Sequence, residues 1–354
     1  MPRSLSMAEG RSAEKTECAP PKGSSSLGRQ ALVRWIRRYA IFLILGALII
    51  VFEAEQPAFL RVDNLFSVLQ AVSVVALLGV GVTFTLAVNG FDLSVGSTAV
   101  LCLMLSSFAM VVFQFNAAET IAFALAIGAV VGLANGFLIV ALGIPDLLAT
   151  LGMMFLLSGL TLIPSGGRSI TTGLVLPNGV SANGRFDPNF LYVGRHRVWD
   201  LVPLPVIVVA LISVIAWFLM ERTRWGRVFY AVGGNEAAAH LAGAPTKKYR
   251  VAAYVISGVL GALGGVFTAA RIGRGEVFAG SSMLLDSVAA ALIGYAVLDQ
   301  RRPNVGGTVM GAVFVGILLN GLTMLNAPYY AQDFVKGVVL VGALAVTFGI
   351  GRRR

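Results

Sequence analysis

The chain has 354 residues, of which 57% are hydrophobic and 12% are charged, and its formal net charge is +10. A soluble surface needs about a quarter of its residues charged, so this composition excludes a soluble globular protein and predicts a polytopic membrane protein. The Lys and Arg residues are spread over short loops and chain ends without aromatic interleaving, which favours membrane topology over nucleic-acid binding.

The first 38 residues mix Ser, Pro, Gly and charge, and predict a disordered cytoplasmic tail. Acidic residues within it argue against an organelle transit peptide, and the apolar run from Tyr39 lacks a small-x-small cleavage site. We therefore interpret that run as the first membrane helix, with Arg37 and Arg38 holding the N-terminus inside. Residues 39–354 are predicted to form one transmembrane domain.

The number of apolar runs sets the predicted fold class. A helix needs about 20 apolar residues to cross a bilayer, and on this measure we predict an all-α polytopic membrane protein with about ten transmembrane helices. This even number of crossings places both termini and the basic segment 221–250 in the cytoplasm, as the positive-inside rule requires. The approximate cores are 39–55, 65–88, 95–114, 119–142, 146–164, 200–220, 250–270, 284–298, 305–325 and 333–351.

Polar residues interrupt the apolar sequence in NGFDLSVGS (89–97), where Gly90 and Gly96 permit a break in the helix. A charge at membrane depth is costly, so this motif is expected to face the translocation path or the helix interior. Two simpler roles stay open, because Asp92 can cap the following helix and each Asn can make a packing hydrogen bond. The candidate path residues are Asn89, Asp92, Ser94, Asn135, Asp286 and Asn320.

Closely spaced glycines predict where helices approach one another, notably Gly128 with Gly132 and Gly258 with Gly261. The segment 165–200 lies outside in the predicted topology and is long for a connection. It is either a partly ordered cap on which a delivering protein docks or a loosely structured surface loop.

The segment 221–250 carries six Lys or Arg residues and two Glu residues between apolar runs. Gly233–Gly234 is predicted to break the backbone, and Asn235 to cap a short helix that Gly243 and Pro245 end. A short exposed helix beneath a bilayer suits docking to a cytoplasmic partner, and an ordinary ordered loop is the alternative.

Four stretches in this order resemble the permease subunit of bacterial ribose-type ABC importers. They are NGFDLSVGS (89–97), IPDLLATLGMMFLLSGL (144–160), GGNEAAAHLAGAPTKKYRVAAYVISGVLGALGG (233–265) and LLDSVAAALIGYAVL (284–298). Together with VGGTVMGAVFVGILLNGLTML near the end, the resemblance covers roughly residues 60 to 350.

This resemblance implies a multi-pass protein of the bacterial inner membrane. Its implied partners are two cytoplasmic ATPase subunits, an external binding protein for a sugar or related polyol, and a second copy of the permease or a related permease. It also implies that ATP and Mg bind the ATPase subunits and that this chain binds no cofactor. The loop 221–250 would carry the coupling helix. The implied coupling residues are Gly233, Gly234, Asn235, Glu236, Ala238, Ala239 and Gly243.

Enzyme motifs are absent from the sequence: it has no GxxxxGK[ST], HExxH, CxxC or GxSxG. We therefore expect a transport subunit without an ATPase site, a catalytic residue or a metal site. One departure from the family pattern is VLDQRRPNVGG (297–307), where the family usually has a glycine-rich turn. The alternatives are a branched-chain amino-acid ABC permease and a self-sufficient secondary carrier.

Overall fold

The structure is a computed structural model that describes residues 42–176, 179–296 and 302–349. Within these residues the chain is mostly helical, with one small antiparallel hairpin that pairs Arg197 with Pro203. The strands are β1 (Arg197–Val198) and β2 (Val202–Pro203). The helices are α1 (42–55), α2 (Val62–Ala87), α3 (Val95–Val111), α4 (Ala117–Val140), α5 (Asp146–Leu162), α6 (Pro188–Arg195), α7 (Leu204–Arg222), α8 (Arg224–Gly234), α9 (Glu236–Leu241), α10 (Thr246–Ile272), α11 (Gly280–Ala296), α12 (Val305–Met324) and α13 (Tyr329–Gly349).

Each predicted apolar core overlaps one helix, although the cores 39–55, 284–298 and 333–351 extend beyond the described residues. In the described part of the chain, six helical segments are long and apolar enough to cross a membrane. Helices α3 and α5 are apolar but shorter, at 17 residues each. The six are Val62–Ala87, Ala117–Val140, Leu204–Arg222, Thr246–Ile272, Val277–Tyr295 and Val305–Met324. The larger number of about ten crossings therefore stays a prediction.

Local sequence explains where the helices begin and end. Helix α4 begins with a capping box, in which the Asn116 side chain accepts from the Glu119 amide and the Glu119 carboxylate accepts from the Asn116 amide. Helix α10 ends at Gly273, whose φ of 73° is left-handed and suits glycine. These terminal signals fix the lengths of helices whose apolar composition alone would not end them.

Helix α10 lies at the centre of the fold and packs against α2, α3 and α4. Its closest approach is to α4, where a side chain on Gly258 would overlap the Gly128 carbonyl and one on Gly132 would overlap the Tyr254 carbonyl. The prediction that Gly128, Gly132 and Gly258 allow close helix packing is confirmed. Small residues let two backbones meet where lipid supplies no hydrophobic driving force between helices.

The segment 165–200, which the sequence predicted to lie outside, contains ordered structure, because α6 packs against the end of α10. Phe190 is fully buried, and a side chain on Gly194 would overlap the α10 backbone at Ala270. The Arg195 guanidinium donates to the carbonyls of Arg271 at 3.0 Å and Ile272 at 3.1 Å. Arg195 thereby satisfies carbonyls at the C-terminus of α10 that have no partner within the helix.

Candidate functional site

The loop 221–250 contains two helices where the sequence predicted one. Helix α8 precedes the expected short helix and buries Phe229 and Val232, while Arg224 and Arg227 are exposed. Thr223 caps α8, since its hydroxyl accepts from the Gly226 amide at 3.4 Å. The apolar residues of RWGRVFYAV recur at helical spacing and indicate this helix. Its basic residues are equally typical of a cytoplasmic loop, so the helix was not predicted.

The expected break at Gly233–Gly234 was wrong, because α8 continues through both glycines and ends at Asn235. Asn235 is extended, with φ −158° and ψ 98°. Gly233 has a packing role, since a side chain there would overlap the Ala87 carbonyl at the end of α2. Gly234 has open space around it.

Helix α9 is short and mostly exposed, as predicted. The Asn235 side chain caps it by accepting from the Ala238 amide at 2.9 Å, and Gly243 ends it with a φ of 86°. Ala239 is buried against the core, whereas Ala238 is exposed. Leu241 was not among the predicted coupling residues, and it is 88% exposed. The exposed face of α9 therefore combines Ala237, Ala238 and Leu241 with the polar side chains of Glu236 and His240.

An ion network joins α9 to the ends of two long helices. Arg250 of α10 pairs with Glu236 of α9 at 3.2 Å and with Asp146 of α5 at 2.8 Å. The Tyr254 hydroxyl donates to the other Asp146 oxygen at 2.6 Å. Of the residues in this network, only Glu236 was predicted as a site residue. Asp146, Arg250 and Tyr254 were not, because Asp146 is more than 100 positions from the other two.

A second network joins α7, α8 and the start of α12. Arg302 pairs with Glu221 at 2.8 Å, and its guanidinium lies 4.5 Å from the centre of the Tyr230 ring. The single Tyr230 hydroxyl proton faces two acceptors, the Pro303 carbonyl at 2.9 Å and a Glu221 carboxylate oxygen at 3.2 Å. Burial and the neighbouring Glu221 carboxylate raise the pKa of Tyr230, so its hydroxyl stays protonated at neutral pH. Residues 297–301 of the unusual stretch 297–307 lie outside the described residues, and Arg302 joins the segment before α12 to the loop.

A cavity of about 860 Å³ opens between these two networks. Its walls come from the end of α2, the start of α5, α8 and the start of α12, and they combine aromatic, amide and charged side chains. Asn89 and Gly90 line it, together with Asp146, Tyr230 and Arg302. The predicted helix break and the coupling loop thus share one cavity.

The break in NGFDLSVGS is confirmed, since α2 ends at Ala87 and α3 begins at Val95. Asp92 is 1% exposed, and one carboxylate oxygen accepts from the Ser94 amide and hydroxyl at 2.8 and 2.7 Å. The other oxygen accepts from the Ser257 hydroxyl of α10 at 2.6 Å. Asn135 of α4 donates to the Ser94 hydroxyl at 2.8 Å. Asp92, Ser94 and Asn135 therefore form one cluster, to which the structure adds Ser257.

The remaining candidate path residues lie apart from this cluster. Asn89 is exposed in a left-handed conformation with φ 57° and lines the cavity. Asp286 pairs with Lys336 of α13 at 3.1 Å. Asn320 exchanges amide hydrogen bonds with Asn64 of α2, which matches the packing role left open for each Asn. In the residues the structure describes, no group of three or more His, Cys, Asp or Glu side chains could hold a metal ion.

Apolar helices of spanning length that pack through small residues define a multi-pass membrane protein. A family model described as a branched-chain amino acid transport system permease component matches residues 64–344. The chain belongs to this family of ABC importer permeases and is a multi-pass inner-membrane protein.

Curated relatives carry more specific names. The ribose import permease protein RbsC of Escherichia coli K12 is 34% identical over 312 residues, which cover 88% of this chain and 94% of the relative. RbsC of Bacillus subtilis is 35% identical over 303 residues, 86% of this chain and 90% of the relative. The D-allose transport system permease protein AlsC of E. coli K12 is 30% identical over 311 residues, 87% of this chain and 91% of the relative. No solved structure gives a significant match.

Proposed function

We propose that this chain is the transmembrane subunit of an ATP-driven importer and forms the path for a sugar or related polyol. The observation that carries the proposal is α9, an exposed helix that bears Ala238 and Leu241 on its surface and is ion-paired to α10. Such a helix can receive force from a cytoplasmic partner and pass it to the membrane helices. The ribose and allose permeases support a sugar rather than a branched-chain amino acid.

The proposed assembly contains partners that supply what this chain lacks. Two cytoplasmic ATPase subunits would bind ATP and Mg and hydrolyse the nucleotide, because this sequence has no phosphate-binding loop. An external binding protein would deliver the solute, and the ordered α6 offers it a firm surface. A second permease copy or a related permease would complete the path.

The proposed path includes the cavity that Asn89 lines and the adjoining cluster of Asp92, Ser94 and Asn135. Neutral sugars are rich in hydroxyl groups, which carboxylates, amides and aromatic rings bind. Tyr230 brings an aromatic ring to the same cavity. The Asp286 carboxylate is bonded to Lys336 and the Asn320 amide to Asn64. These two residues therefore contribute to the path only if those bonds break.

The proposed topology has about ten crossings with both termini in the cytoplasm, a tail over residues 1–38 and a permease domain over 39–354. An alkaline phosphatase, which is active only outside the inner membrane, is expected to stay inactive when fused after Arg354. The same reporter inserted after Asn183, in the external segment, is the positive control and should be active. An active fusion at Arg354 would contradict the ten-crossing topology, because the terminal basic residues would then lie outside.

Reconstitution in liposomes tests the function and separates it from a secondary carrier. Sugar uptake is expected only when the cognate ATPase, the loaded binding protein and MgATP are all supplied. Omitting any one of them should remove uptake, and an ion gradient should not replace ATP. Uptake by this chain alone, driven by an ion gradient, would show that the importer assignment is wrong.

A further inference from the structure

Three polar residues of α10 lie on one face of that helix. Arg250, Tyr254 and Ser257 are spaced four and three residues apart, and side chains at such spacings are neighbours along a helix. Arg250 lies near the cytoplasmic start of α10, and Ser257 lies two turns farther in. Each of the three bonds to a residue of another helix or junction.

Arg250, Tyr254 and Ser257 form a polar stripe, and its outer end, at Arg250, contacts α9. In the described part of the chain, the Glu236 carboxylate makes the one polar side-chain bond that connects α9 to a long helix, through Arg250 at 3.2 Å. The side chains of Arg250 and Asp146 are 22% and 16% exposed, whereas that of Glu236 is 44% exposed. Arg250 is thus anchored on α5 and reaches out to α9.

The inner end of the stripe, at Tyr254 and Ser257, contacts the break between α2 and α3. Tyr254 and Asp146 lie directly against Gly90, where an added Cβ would come within 2.5 Å of both side chains. Ser257 donates to Asp92 at 2.6 Å. The Thr150 hydroxyl of α5 lies 2.8 Å from the Asp146 carbonyl of its own helix and 3.2 Å from the Phe91 carbonyl. Helices α5 and α10 therefore both contact residues 90–92.

We propose that Arg250, Tyr254 and Ser257 form a polar relay that transmits movement of α9 to the α2–α3 junction. This proposal rests on the proposed function, because it requires α9 to be moved by an ATPase. Arg250 is the positioning residue at its start, since one guanidinium pairs with both α9 and α5. When α9 moves with Glu236, Arg250 follows and either carries Asp146 with it or releases Asp146. Either event alters the contacts that Asp146 and Tyr254 make at Gly90, two residues from Asp92.

The relay is expected to act on coupling more than on folding. Partly exposed ion pairs contribute little to stability because water screens them, and the Glu236 pair is of this kind. Its geometric role does not depend on that contribution, because a charge pair can fix the position of α9 without holding the fold together. Loss of Arg250 should therefore leave assembly intact and separate ATP hydrolysis from transport.

The test compares Arg250→Met with the wild-type permease, each reconstituted with its ATPase and binding protein. Arg250→Met is expected to retain the ATPase on co-purification but to transport at least about fivefold fewer solute molecules per ATP hydrolysed. Arg250→Lys keeps the charge but cannot form the same fork, so it should recover part of this ratio. Arg227→Met is the matched control in the same loop, because Arg227 is exposed, and it should keep the wild-type ratio.

A distance measurement gives a readout independent of transport. Spin labels on α9 at Ala237 and on α5 at Leu147, both exposed, should give a narrow distance distribution in the wild type and a broader one in Arg250→Met. A wild-type ratio of transport to ATP hydrolysis, or an unchanged distance distribution, in Arg250→Met would overturn the relay.

Tyr254→Phe is the second variant, for use if Arg250→Met fails to accumulate. It removes only the hydroxyl bonded to Asp146 and should also lower the number of solute molecules transported per ATP. An unchanged ratio in Tyr254→Phe would then reject the relay, whereas a wild type that neither binds nor stimulates the ATPase would reject the importer function itself.

Discussion

Ala238→Trp is expected to give a permease that inserts in the membrane but no longer assembles productively with its ATPase. Ala238 is exposed on α9, and substitutions at exposed positions usually change folding stability by less than about 0.5 kcal/mol. A packed interface tolerates extra volume poorly, at about 1–3 kcal/mol for overpacking. This corresponds to roughly a 5–150-fold loss of coupled activity. The measurements are membrane abundance, co-purification of the ATPase, and ATP hydrolysis stimulated by loaded binding protein.

Gly233→Val is the control for damage to the fold. It places atoms against the Ala87 carbonyl and should lower membrane abundance. The two variants distinguish damage to the fold from damage to docking. Normal assembly and normal stimulated hydrolysis in Ala238→Trp would show that α9 is an ordinary connection.

The positions of the long helices could be predicted because their sequence signal is a simple one. A run of apolar residues in a chain of this composition is a membrane helix, and polar or glycine-rich stretches separate the runs. Helix α8 was not predicted, because RWGRVFYAV buries only one face and its charges resemble a loop. The number of true crossings also needs more than apolarity, since α3 and α5 are short for a bilayer.

The contacts of the candidate site were largely beyond sequence reasoning. Asp146 and Arg250 are 104 positions apart, and Asp92 and Ser257 are 165 apart, so no local pattern joins them. A serine in an apolar span also carries no distinctive signal of its own. Glycine was misread at Gly233 for a related reason, since a glycine that permits close packing and one that breaks a helix look alike in a sequence.

The Asp92 cluster shows how a buried acidic side chain can join two helices when both of its oxygens accept hydrogen bonds. Its carboxylate receives three donors, the amide and hydroxyl of Ser94 and the hydroxyl of Ser257. The two carboxyl oxygens accept all three hydrogen bonds, so one side chain contacts both the start of α3 and the middle of α10. The cluster therefore uses hydrogen bonds to hold the α2–α3 junction against α10.

Asp92→Asn is expected to lower solute uptake while leaving membrane abundance near normal. The amide has the same shape and keeps one acceptor oxygen for Ser94, and Ser257 can rotate its hydroxyl to accept from the new amide group, so the fold survives. The lost charge-assisted hydrogen bonds are worth about 1.5–3 kcal/mol. If that energy positions the junction during transport, uptake falls by about tenfold to a hundredfold.

Asp63→Asn is the matched control for this charge removal. Asp63 lies in the first turn of the same helix, α2, and its side chain is 92% exposed, so uptake should stay at the wild-type level. The measurements are uptake of labelled solute and immunoblotting of the membrane fraction for both variants. Unchanged uptake in Asp92→Asn would limit Asp92 to capping α3. Disappearance of that variant from the membrane would instead assign the carboxylate to folding, because the cluster would then be holding α2, α3, α4 and α10 together.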